Sequence, residues 1–72
     1  MITDLLTKEQ VIEVDILSDA MIMKNKDWRK GQAFFNALHT LFPEAANEIR
    51  GTKYDPFYVD DKIEACIEFI TN

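Results

Sequence analysis

Most of the large rings in this chain, and all of the residues that turn a backbone sharply, fall between Asp27 and Tyr58. That stretch, DWRKGQAFFNALHTLFPEAANEIRGTKYDPFY, holds the only Trp, four of the five Phe, both Tyr, both Gly and both Pro of a 72-residue chain. Any core must be centred there, and the remaining segments must pack onto it. A chain this short makes one domain. Folding buries only about 60–65% of the surface exposed by an unfolded chain of this size, so little stability is in reserve. A single cysteine, Cys66, forms no internal disulfide, and a single histidine, His39, builds no structural zinc site alone. Packing has to carry the fold, alone or with a partner chain.

The segment before the ring-rich stretch opens on Thr7-Lys8-Glu9-Gln10, the pattern of a capping box, with Leu6 and Val11 at the hydrophobic-staple positions. It predicts a helix from Lys8 to Lys24. Ile12-Glu13-Val14-Asp15-Ile16 alternates as a strand would, but no second strand-like run exists to pair with it. At helical spacing the segment has two apolar faces. Val14, Leu17 and Met21 form one; Ile12, Ile16, Ala20 and Met23 form the other, with Glu9 and Glu13 between them on one side and Asp15 and Asp19 on the other. A surface helix normally carries one stripe. Either this is a central helix touching two neighbours of its own domain, or its second face is covered by another copy or by a target.

Lys24-Asn25-Lys26 places positive charge at the end of that helix, and Asp27 is the expected cap of the next, with Trp28 in its first turn. Trp28, Gly31, Phe34, Phe35, Leu38, Leu41 and Phe42 make its apolar side. Gly31 on that side predicts the close approach of another backbone. The opposite face, Arg29, Gln32, Asn36, His39 and Thr40, is mostly uncharged and hydrogen-bonding, and reads as a water-facing stripe or a recognition surface. Pro43 opens a short third helix to Arg50, and Gly51 supplies the left-handed residue that ends it. In the following connection Asp55-Pro56 predicts a helical turn over Pro56–Tyr58, and its rings are expected to fold back on the core. Asp60 is read as the cap of a last helix running from Asp61 to Thr71, with Val59, Ile63, Cys66, Ile67 and Ile70 as its core stripe. The fold expected is all-α, a compact domain of three or four helices over residues 1–72. Its core is drawn from Trp28, Phe34, Phe35, Leu38, Phe42, Ile49, Ile63, Ile67 and Ile70.

Net charge is −5, unevenly distributed. The first 23 residues carry one Lys against five acids, and residues 55–72 repeat that balance; Lys24, Lys26, Arg29 and Lys30 make a small basic knuckle interrupted by Asp27. A general nucleic-acid binder needs a broad basic face, so the balance points to a protein partner. The knuckle remains a candidate anion contact at a helix start, and with the Arg29–His39 stripe it supports a helix-turn-helix-like alternative. A third alternative is an acidic nucleic-acid mimic, if the carboxylates of the first and last helices form one face. No glycine-rich phosphate loop or EF-hand spacing is present, and the acid pairs Glu9/Glu13, Asp60/Asp61 and Glu64/Glu68, spaced along exposed helix faces, read as solvation. No catalytic residue, cofactor or metal site is expected. The lack of a signal-like start or a membrane-length apolar run, together with the unpaired cysteine, gives the expectation of a cytoplasmic protein.

The ordered pattern Arg29-x-Gly31-Gln32-x-x-Phe35-Asn36-x-Leu38, then Pro43-Glu44-x-Ala46, then Ile49-Arg50-Gly51-Thr52-x-x-Asp55-Pro56-Phe57-Tyr58 resembles small all-helical accessory proteins encoded by phages and prophages. The resemblance spans roughly residues 28–70 and leaves the first helix outside. It implies a short all-helical accessory protein of uncharacterised function, with no assigned activity to carry over. Because phage genomes are rich in small acidic proteins that bind host machinery, defence systems included, a non-enzymatic host-directed binder is the expectation. The same residues have a structural reading: Gln32 and Asn36, one helical turn apart, could clamp the Arg50-Gly51-Thr52 turn. Partner-contact candidates are therefore Ile12, Ile16, Met23, Arg29, Gln32, Asn36 and His39, for a host protein or a second copy in a homodimer.

Overall fold

Local chemistry sets the first helix start, and a distant side chain sets the second. The computed structural model describes residues 6–71 and shows an all-α domain. Its elements are α1 (Lys8–Lys24), α2 (Lys30–Leu41), α3 (Pro43–Ile49), a 3-10 turn (Asp60–Lys62) and α4 (Ile63–Thr71). No strand occurs among the described residues. Thr7 Oγ1 accepts from the Gln10 amide at 3.2 Å and Gln10 Oε1 accepts from the Thr7 amide at 2.8 Å, closing the capping box. Leu6 and Val11, at the staple positions, both pack half-buried against the core. At the far end the Asn25 backbone and side chain both donate to the Met21 carbonyl, at 2.8 and 3.1 Å.

The α2 start differs from expectation. Asp27 does not cap it: Trp28 N–H closes a turn onto the Asn25 carbonyl, and Arg29 takes the N-cap position without a side-chain bond. The orphan amide of Gly31 donates instead to Asp60 Oδ1 at 3.0 Å, from 29 residues along the chain. Asp60, expected to cap the last helix, therefore serves the second one. The last helix enters through the 3-10 turn, whose N-cap is Val59, also without a side-chain bond. A carboxylate at a helix N-terminus gains from both the hydrogen bond and the helix dipole. Asp60→Ala should destabilise the domain by about 1 kcal/mol, with Asp60→Asn losing less, as read by urea denaturation.

α2, and not α1, is the central element. Gly31, Ala33, Phe34, Phe35, Ala37 and Leu38 are all buried, which covers most of its circumference. α1 packs along it, α3 folds back on it and the Asp60–Lys62 turn meets its start. The core unites Val14 of α1, Phe34, Phe35, Ala37 and Leu38 of α2, Ala45, Ala46 and Ile49 of α3, and Cys66 and Ile70 of α4. Phe42, Ile63 and Ile67 pack against it half-buried, whereas Trp28, expected in the core, is half-buried outside this cluster. Leu41 and Val59 also depart from expectation, being exposed. Leu41 comes at the last turn of α2, where the chain has already turned into α3, and Val59 stands at the edge of a turn. Four buried alanines, Ala33, Ala37, Ala45 and Ala46, join the core beyond expectation: their small size allows close helix approach but carries little apolar signal in the sequence.

Pro43 occupies the first turn of α3 and Gly51 follows it with φ +74°, as the sequence indicates. The connection after Gly51 is organised by Asp55. Its Oδ2 accepts from the Gly51 amide at 2.8 Å and its Oδ1 from the Phe57 amide at 2.9 Å. Pro56–Tyr58 is not helical; a single turn is closed there by Val59 N–H on the Pro56 carbonyl at 3.2 Å. Pro56 is fully buried, Tyr54 stacks on Phe69 with ring centroids 4.3 Å apart, and Phe57 meets Phe35 edge-on at 5.8 Å. These rings do fold back on the core, but Tyr58 stays largely exposed. Finally, Leu6 N–H donates to the Ile70 carbonyl at 2.8 Å, tying the lead into α1 to the end of α4.

Candidate functional site

The two apolar faces of α1 meet different environments. Val14 is fully buried, and Leu17 and Met21 pack half-buried on the core. On the other side Ile12 is 56% exposed, Ile16 65% and Met23 77%, and Ala20 is exposed as well. A central helix with two neighbours would have covered both faces. The reading that placed α1 at the domain centre is therefore corrected, and the second face is left in water. At 100° per residue Ile12, Ile16 and Met23 project within about 40° of one another, roughly opposite Val14, and the row from Ile12 to Met23 runs about 17 Å along the helix. Glu9 and Glu13 edge the row on one side and Asp15 and Asp19 on the other, all four exposed. Asp4, counted with the acidic first segment, lies outside the described residues.

The α2 candidates do not form a comparable surface. Arg29 and His39 are exposed, whereas Gln32 and Asn36 are half-buried. His39 stacks on Phe35 at 6.4 Å between centroids, and the Arg50 guanidinium lies 5.5 Å from the centre of the same ring. The polar stripe is thus partly engaged with the domain's own rings. The clamp of Gln32 and Asn36 on the Arg50–Thr52 turn does not form. The Gly51 amide goes to Asp55, and Thr52 Oγ1 donates to the Ile49 carbonyl and accepts from the Tyr54 amide. An acidic residue four positions ahead does this work at lower entropic cost than two amides from another helix.

The basic knuckle is displayed but its helix start is filled. Lys24, Lys26, Arg29 and Lys30 are all exposed around the α1–α2 turn. The Gly31 amide that would face a bound phosphate is already donated to the Asp60 carboxylate. An incoming anion would have to displace an internal one.

Cys66 is buried on the inner side of α4, as its place on the core stripe indicates. Burial, with the Asp55 carboxylate adding to it, pushes the thiol up from 9.0 to about 12. The thiol form therefore predominates throughout the neutral range, and the thiolate is the reactive species. Because the folded-state value is the higher one, the unfolded chain loses this proton first as pH rises. The contribution of Cys66 to stability should be complete below pH 9.0 and decline as pH climbs toward about 12. Near pH 8 a disulfide reagent should label Cys66 only at the rate at which the domain opens, and at full speed in denaturant. Rapid labelling of the folded chain would contradict its burial.

Among the described residues no group of three or more His, Cys, Asp or Glu side chains is placed to hold a metal ion. No described helix is long and apolar enough to cross a membrane. Comparison with family models, with curated proteins and with solved structures gives no match in any of the three.

Proposed function

We propose that this chain is a small non-enzymatic protein-binding module whose docking element is the outer face of α1. The reading rests on one observation: Ile12, Ile16 and Met23 form an exposed row on a helix whose other face already completes the core. Three large apolar side chains aligned on one helix are a helix-in-groove or helix-on-helix contact in waiting. Met23 suits such a surface because its flexible thioether adapts to its neighbour. Acting inside the cell, and as the phage-type pattern of residues 28–70 suggests, the module would bind and modulate a host protein, a defence component being one example.

Ile16→Asp tests this directly. The side chain is outside the core, so the thermal midpoint should move by no more than a few degrees, within the roughly ±0.5 kcal/mol usual for surface changes. Proteins captured from a lysate of the native host by the wild-type chain should be lost to Ile16→Asp and retained by Lys53→Ala, a change elsewhere on the surface. A captured set that is unchanged by Ile16→Asp in the folded protein removes the basis for this reading.

A further inference from the structure

We infer that the occupant of the α1 outer face is a cationic amphipathic helix, an apolar seam flanked by Lys or Arg, and not a second copy of this chain. The inference rests on the docking reading above and adds the chemistry of the partner. Glu9, Glu13, Asp15 and Asp19 border the Ile12–Met23 row on both sides. Among the described residues none of these four carboxylates is hydrogen-bonded or ion-paired. An apolar partner seated on the row would bring its own flanks alongside them, and basic flanks turn four solvated charges into complementary ones.

The same charges count against self-pairing. A parallel pair sets the Glu9–Glu13 edge of each helix against the Asp15–Asp19 edge of the other, carboxylate beside carboxylate. In the antiparallel register that seats Ile12 against Met23 of a second copy, Glu9 gains Lys24 of that copy on one flank. On the other flank Asp15 falls beside Asp19 of the second copy, twice by symmetry. Like charges placed directly across a helix interface are unfavourable, so one complete side of the pair is frustrated. Acidic flanks also repel the anionic surface of a membrane. Size points the same way: a contact about 17 Å long and about 10 Å wide covers only a few hundred Å², well short of the roughly 1,200 Å² of a stable symmetric interface. It suits the transient docking of a single segment.

The test uses the full-length chain labelled with nitrogen-15 and three synthetic peptides of about 18 residues, helical by design. One has a Leu seam with Lys flanks, the second the same seam with Glu flanks, and the third Lys flanks with a Gln seam. The first should shift the α1 amides between Glu9 and Met23 saturably and bind at least about tenfold more tightly than either other peptide. Raising salt from about 50 to about 500 mM should weaken it several-fold. Ile16→Asp should abolish the shifts, and the pair Glu13→Lys with Asp19→Lys should reverse the preference toward the Glu-flanked peptide. Equal binding of the Lys- and Glu-flanked peptides on α1 would overturn the charge inference and leave the docking face standing. Equal binding of the Gln-seam peptide, or no α1 shifts with any peptide, would remove both. A mass of two chains by light scattering, returned to one by Ile16→Asp, would make the occupant a second copy.

Discussion

Gly31→Ala is expected to lower the thermal midpoint by roughly 10–20 °C, even though the substitution improves the intrinsic helix preference of α2. In an exposed helix Ala is better than Gly by about 1 kcal/mol. Here the position of the new methyl group collides with the Pro56 carbonyl oxygen; the Pro56 carbonyl carbon lies 3.0 Å from it and Asp60 Oδ1 3.1 Å. Those neighbours are not free ends of flexible side chains. The Pro56 carbonyl accepts from Val59 N–H, and the Asp60 carboxylate holds the Gly31 amide. Relief of the clash requires the Pro56–Asp60 segment to lift from α2, breaking the cap as it goes. Overpacking of this kind costs about 1–3 kcal/mol, and loss of the cap adds about 1 more, which outweighs the propensity gain. A melt followed by circular dichroism decides it. A midpoint equal to or above wild type would mean that Pro56 does not sit against Gly31 in solution.

The second large effect should come from Asp55→Ala, at about 3 kcal/mol in equilibrium unfolding. One carboxylate serves two backbone amides, those of Gly51 and Phe57, at 2.8 and 2.9 Å. Hydrogen bonds to a charged group each contribute about 1.5–3 kcal/mol, and two sharing an acceptor sum to less than twice that. The consequence reaches the core, because this loop carries buried Pro56 and delivers Phe57 onto Phe35. Asp55→Asn keeps one acceptor oxygen and should fall between wild type and Ala. If Ala and Asn are equally mild, the loop is held by its rings alone. Asp55→Ala also removes the charge beside Cys66, so the thiol should then titrate below its value of about 12.

These two sites mark the boundary of what could be read from residue order. The capping box at Thr7 and Gln10, Pro43 at a helix start and Gly51 at a helix end were all legible, because each is settled within four or five neighbours. Gly31 was legible as a close-approach position, though not which backbone approaches. Asp27 was misread for the complementary reason: it has the residue type of a cap in the expected place, but the helix begins two residues later at the Arg29 N-cap, and its first-turn Gly31 amide is served by Asp60, a long-range partner that no local pattern reveals. The same holds for α1. Its two apolar faces are evident in the spacing of Val14, Leu17 and Met21 against Ile12, Ile16 and Met23, but spacing is silent on which face a domain covers. That was decided by α2, whose buried Ala33 and Ala37 make it the helix that others surround.

The bond between Gly31 and Asp60 also bears on the order in which this protein matures during synthesis. The ribosome delivers the start of α2 well before residue 60, so the nascent helix waits with its first turn unpaired and its glycine unsupported. Completion arrives only with the Pro56–Asp60 segment, which brings the missing carboxylate and the proline lid together. A release truncated before Pro56 leaves the central helix without either, and cooperative folding of the domain waits until both have been made.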